Sequence, residues 1–133
     1  EIARYPNWFQ ENCYAVTADY KLAEDGYSIE VINRCKDRQL NGEVREAEGI
    51  AHIVDSNTNA KLKVSFFWPF FGSYWIINIG DNYEYAVVSE PKRQYLWILS
   101  REPYMEESKY NKLIKSLANR NFDVSLIRAT PQK

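Results

Sequence analysis

The sequence predicts an all-β fold: an eight-stranded antiparallel up-and-down β-barrel with one C-terminal α-helix and a short ninth strand. Three observations carry this. Short runs of alternating apolar and polar residues recur along most of the chain. The links between runs are short and rich in turn residues. One stretch near the C terminus changes to helical spacing. The aromatic content, ten Tyr, six Phe and four Trp in 133 residues, agrees, because aromatic side chains suit a pleated, half-buried surface.

The elements follow in order. "EIAR" opens the chain as a strand, and the long link "YPNWFQENC" follows. "YAVTADYKL" sets Tyr14, Val16, Ala18, Tyr20 and Leu22 against Ala15, Thr17, Asp19 and Lys21. After "AEDG", "YSIEVINR" sets Tyr27, Ile29 and Val31 against Ser28 and Glu30, and the two runs read as a hairpin. "GEVREAEGIAHIVD" is a third run, with Gly49 as the candidate for a bend or bulge. "AKLKVSFF" sets Leu62, Val64 and Phe66 against Lys61, Lys63 and Ser65. "SYWIINI", "YEYAVVS" and "QYLWILS" complete the eight, ended by "GDN", "EPKR" and "REP". From Glu106 to Arg120 the apolar residues Tyr110, Leu113, Ile114, Leu117 and Ala118 line one helical face. Asn121 suits the left-handed position after the helix, and "FDVSLI" reads as the short ninth strand.

Eight short strands with tight links lose their exposed edges by closing into a barrel. Links then alternate between its two ends. Trp8, Phe9, Trp68, Phe70 and Phe71 gather at one rim, and Lys36, Arg38, Lys92 and Arg93 gather there too. The crowded stretch "KVSFFWPFFGSYW" is therefore a strand end, a rim loop punctuated by Pro69 and Gly72, and a strand start.

The net charge is −1 and there is no basic run, which argues against nucleic acid as a partner. No apolar stretch approaches the roughly 18 residues of a membrane-spanning helix. The chain starts at Glu1 without Met, and reads as a processed or truncated form whose signal or lipid anchor would lie upstream. Phosphate-loop, dinucleotide and Gly-x-Ser-x-Gly motifs do not occur. His52 is the single histidine, in a strand position that suits the surface or wall, so no metal site is expected. Glu43, Glu46 and Glu48 read as the wet side of a strand.

Three blocks resemble the lipocalin family, most closely its bacterial outer-membrane lipoproteins and the plant temperature-induced lipocalins: "EIARYPNWFQ", "LKVSFFWPFFGSYW" and "YEYAVVSEPKRQYLWILSREP". The likeness spans nearly the whole of residues 1–133, read as one lipocalin domain. It departs from the family twice. The Gly-x-Trp that opens the family pattern is absent ahead of Glu1. Gly80, followed by Asp81, stands where the family favours an acid.

The resemblance implies a binding protein rather than an enzyme, without cofactor or metal. It implies transport or storage of fatty acids or lysophospholipids for membrane maintenance under stress, in the cell envelope at the outer membrane facing the periplasm. Partners would be the lipid, a membrane surface and a second copy in a homodimer. The inward stripe of Tyr14, Val16, Ala18, Tyr20, Ile29, Val31, Asn33, Leu62, Val64 and Phe66 either packs as a solid core or lines the ligand cavity. The rim aromatics either close as a lid or enter a membrane interface. The basic quartet is either solvated loop charge or an anion site at the entrance. Arg101 matches a structural Arg of the closed end. The alternatives are a carrier of haem, a retinoid or a pigment, with His52 or a Tyr as haem ligand, and a barrel enzyme using Cys13 or Cys35 as nucleophile.

Cys13 and Cys35 fit either one disulfide or two unpaired thiols. In a regular hairpin whose paired numbers sum to about 49, Cys35 faces Tyr14 and Cys13 lies one step along. The two thiols then point to opposite faces, and a bridge requires a bulge or a Cys13 placed in the preceding loop.

Overall fold

A computed structural model of the chain describes residues 1–7, 10–26, 28–53, 61–67 and 70–132. At 53, 61, 62, 64–67 and 70–73 the description is of the backbone. The strands are β1 (Ala3–Arg4), β2 (Cys13–Leu22), β3 (Ser28–Asp37), β4 (Val44–Ile53), β5 (Lys61–Phe67), β6 (Phe70–Ile79), β7 (Tyr85–Ser89), β8 (Leu96–Ser100) and β9 (Arg128–Ala129), with helix α1 at Glu107–Asn119. They form one antiparallel sheet in the order β2-β3-β4-β5-β6-β7-β8-β1-β9. The eight expected strands are all present, and "EIAR" supplies only a two-residue one.

The sheet's two ends meet at a seam. The Ala15 N–H donates to the Pro131 carbonyl at 2.7 Å, and the Glu1 nitrogen donates to the Val16 carbonyl at 2.8 Å. Arg4 sits behind this suture. It donates to the Glu1 carboxylate at 2.6 Å, to the Gln10 carbonyl at 3.1 Å and to the Cys13 carbonyl at 3.4 Å. Thr130 donates to the same Glu1 carboxylate at 2.6 Å, and the Glu1 side chain is only 2% exposed. A buried carboxylate is tolerable here because guanidinium, hydroxyl and amide donors surround it.

Two segments differ from the sequence expectation. "FDVSLI" is not a strand. Val124–Leu126 form a short 3-10 turn, and the ninth strand comes just after it. The cause is Asp123, whose carboxylate accepts from the Ser125 backbone and hydroxyl and so fixes a turn in place of a ladder. Gly49 makes no bulge, since β3 and β4 pair without a shift from Ser28↔His52 to Lys36↔Val44. Gly80, where the family favours an acid, is required by packing. A Cβ there would come within 2.5 Å of the Tyr85 ring.

Helix α1 ends as Asn121 foretells. Asn121 has φ +66°, its N–H reaches the Ala118 carbonyl, and the Phe122 N–H reaches the Leu117 carbonyl. Leu117 and Phe122 then join one buried cluster with Leu113, Ala3, Tyr5, Val87, Leu96 and Ile98. This is a Schellman-type stop with its apolar contact, and it pins the helix across β7, β8 and β1.

Candidate functional site

Register decides which face of the wall each residue occupies. Directly paired residues share a face, and neighbours along a strand alternate. Val87 pairs with Ile98, and Ile98 with Ala3, on the face that α1 covers. Val88 pairs with Ile76 and Trp97, and Trp97 with Arg4, on the other face. Tyr74 lies on that second face, its ring 5.5 Å from the Trp97 ring. Tyr74 pairs with Leu62, Leu62 with Ile53 and Val64 with Ala51, which carries the inner face through β5 to β4. Ile29, Val31, Asn33 and Cys35 continue it, opposite Ala51, Gly49, Ala47 and Arg45. Tyr20 and Ala18 follow opposite Val31 and Asn33.

The two faces are packed differently. Among the described residues the largest fully buried side chains, Leu96, Ile98, Leu117, Val87 and Ser89, belong to the wall's outer face or to the helix on it. On the inner face Val16, Val31 and Ala51 are buried. Ala18, Ile29, Asn33, Tyr74, Ile76, Val88 and Trp97 are only half-buried. Tyr20 is 54% and Leu22 61% exposed. Among the described residues the larger buried cluster thus lies outside the barrel, a smaller one of Cys13, Val16 and Cys35 lies inside, and part of the apolar inner face keeps accessible surface. Burial pushes the Tyr20 phenol up to about 12, helped by the Glu1 carboxylate, and burial also raises Tyr74. The exposure of Tyr20 and its desolvation look contradictory. They fit together for a ring on a concave wall, surrounded by protein at a distance but not packed against it.

The predicted stripe is therefore brought together with one correction. Val16, Ala18, Tyr20, Ile29, Val31 and Asn33 share the inner face, and Leu62 and Val64 hold inner register positions. Tyr14 does not, because it pairs with Lys36 on the outer face. The reason is a bulge. Pairing runs Thr17↔Arg34, then shifts by one residue to Tyr14↔Lys36, with Ala15 at φ +48°. The same bulge turns Cys13 to the inner face beside Cys35, where they form a disulfide with Cα atoms 5.3 Å apart. Regular pairing forbids that bridge, and one extra residue in β2 permits it. Phe66 lies in a second register shift, between Val64 and Phe67.

The rim is defined by the strand ends at Cys13, Asp37, Val44, Phe67, Phe70, Ser89 and Leu96. Trp8, Phe9 and Trp68 lie outside the described residues, and Phe70 and Phe71 are placed by their backbone in β6. The basic quartet is not one site. Arg93 donates to the Arg120 carbonyl at 2.7 Å and lies 4.3 Å over the Phe122 ring, holding the helix end to the β7–β8 link. Lys36 is on the outer face, while Lys92 and Arg38 are exposed, Arg38 within 3.6 Å of the Asp37 carboxylate. Arg101 is at the opposite end, exposed, and donates to the Tyr83 carbonyl at 3.1 Å.

Both cysteines are joined to each other, so neither supplies a thiolate nucleophile. His52 sits on the outer face, its ring nitrogen 3.4 Å from the Ser28 hydroxyl, and is not placed to ligate a haem inside. Among the described residues no cluster of three His, Cys, Asp or Glu could hold a metal. Sequence reasoning missed Glu1, Arg4 and Gln10 at the seam and Arg45 at the mouth. Their only local sign is charge and amide groups within "EIARYPNWFQ" and a lone cation in β4.

A closed meander with its helix outside and an accessible apolar lining inside defines a small-ligand-binding barrel. The chain belongs to the lipocalins: the family described as the lipocalin-like domain matches residues 1–132. It is 43% identical over 126 residues to the outer membrane lipoprotein Blc of Vibrio cholerae, covering 94% of this chain and 72% of that protein. It is 38% identical over 141 residues to temperature-induced lipocalin-1 of Arabidopsis thaliana, covering 99% and 74%. Lobster apocrustacyanin A1 superposes with a TM-score of 0.76 over 100% of this chain and 74% of that one, at 17% identity, which shows the shared fold.

Proposed function

We propose that this protein is a carrier of single-chain amphiphiles, fatty acids or lysophospholipids, and not an enzyme. The tail lies along the inner face of the barrel and the head stays at the mouth. One observation supports this above the others: apolar inner-face side chains stay accessible while the fully buried core sits between wall and helix. Burying a tail there gains about 0.8 kcal/mol per CH₂ before ordering and association costs. Likeness to relatives named outer membrane lipoproteins supports a location in the envelope, where the carrier would serve membrane maintenance under stress.

The test is native mass spectrometry of purified protein before and after delipidation, then after addition of hexadecanoic acid or its lysophospholipid. One lipid per chain, lost on extraction and regained on addition, is the expected result. Ala18→Trp, which fills the inner face, should abolish the regained complex without unfolding the protein. Failure of the wild type to take up either lipid would refute the proposal.

A further inference from the structure

Two arginines on the inner face have different surroundings. Arg4 is enclosed by the seam and donates to Glu1, Gln10 and Cys13. Arg45 is at the mouth. It is the second residue of β4 and pairs with the inward Cys35, so it shares the face of the disulfide. Its side chain is 43% exposed. It donates through Nη1 to the Glu11 carbonyl at 3.1 Å and, more loosely, to the Asp37 carboxylate at 3.4 Å. A tight charge-assisted bond is roughly 2.7–2.9 Å, so Asp37 is a weak partner that an incoming anion can displace. Asp37 shares the inner face too, through its pairing with Cys13. Among the described residues, the Nε–Nη2 edge of Arg45 has no acceptor. That edge takes a carboxylate or phosphate two oxygens at a time. The outer-face Arg34 is the contrast, with Nε bound to Glu46 and Nη1 to Asp19, both at 2.7 Å.

We infer that Arg45 is the head-group anchor of the carrier: it selects an anionic single-chain lipid by holding its carboxylate or phosphate at the mouth, with Asp37 as the built-in competitor. This rests on the carrier reading above and replaces the basic quartet as the anion site. Glu11 ties the anchor to the β1–β2 link, so the same guanidinium joins that link to β4.

The experiment compares hexadecanoic acid with hexadecanol by displacement of a fluorescent lipid probe, and adds acetate and inorganic phosphate alone. Wild type should prefer the acid by about tenfold, the scale of one charge-assisted hydrogen bond. Arg45→Gln should remove that preference and leave hexadecanol binding unchanged. Arg45→Lys, a point charge without the fork, should restore only part of it. Asp37→Asn should tighten the acid a few-fold and leave the alcohol unchanged. Acetate and phosphate alone should not displace the probe. If Arg45→Gln keeps the acid preference, or if the tail-less anions compete as well as the acid, the anchor is wrong and the carrier reading stands. If neither hexadecanoic acid nor hexadecanol binds wild type, the carrier reading fails and the anchor with it.

Discussion

Ile98 and Trp97 are neighbours in β8, and the wall treats them in opposite ways. Ile98 faces α1 and is fully buried with Val87, Leu113 and Leu117. Trp97 faces inward and is half-buried, its indole N–H donating to Gln10 at 2.8 Å. The same division holds around the sheet. Close-packed apolar contact is concentrated on the helix side, where it stabilises the fold. Among the described residues the inner side keeps accessible apolar surface. The carrier proposal thus assigns stability and binding to opposite faces of one sheet, separated by a single step of strand alternation.

The sharpest way to break this division is to damage the helix side. Leu117→Ala removes a fully buried side chain from the outer cluster and should cost about 3 kcal/mol. Urea denaturation would show it as a lower midpoint. Below that midpoint, the affinity for a fluorescent lipid probe should be unchanged. Equal loss of stability and binding would show that the two faces act as one core.

The disulfide is the exception, because it is a stabilising feature on the inner face. It closes a loop with a sequence separation of 22 residues and holds the bulge at Ala15 beside β3. The chain-entropy model assigns such a loop about 3 kcal/mol. Cys13→Ser with Cys35→Ser, or reduction, should lower the denaturation midpoint by a comparable amount or slightly less than Leu117→Ala. Unlike Leu117→Ala, it should also change binding of an anionic lipid, since Cys35 pairs with Arg45. A midpoint that does not move on reduction would remove the disulfide from this account.

Strand alternation, turn residues and helical spacing were legible in the sequence because each is a local property. Ala18, Tyr20, Ile29, Val31 and Asn33 share a face for that reason. Tyr14 departs from the alternation because of a bulge at Ala15 that neither Gly nor Pro announces. The same bulge decides between a bridge and two free thiols at Cys13 and Cys35, which local pattern does not. "FDVSLI" has the apolar alternation of a strand, while a single Asp123 side chain fixes a turn. Arg45 gives little signal because its inner-face companions, Ala47, Gly49 and Ala51, are small. The seam of Glu1, Arg4, Gln10 and Thr130 was invisible because Glu1 meets Thr130 only when the barrel closes.

The smallest effect tests whether the inner face is dry. Burial holds the Tyr20 phenol at about 12 against its ordinary 10.0, although its surface is 54% exposed. Between those pH values the folded protein retains a proton that the unfolded chain has released. Folded stability must therefore fall as pH rises through that window, and the Tyr20 contribution is constant below it. Spectrophotometric titration should show Tyr20 ionising above the ordinary tyrosine range. Tyr20→Phe should delete that late step and flatten the alkaline loss of stability. Bound lipid should raise the step further, because a tail over the ring removes its remaining water. A Tyr20 that titrates in the ordinary tyrosine range would mean that water fills the concave wall as freely as it covers the outside.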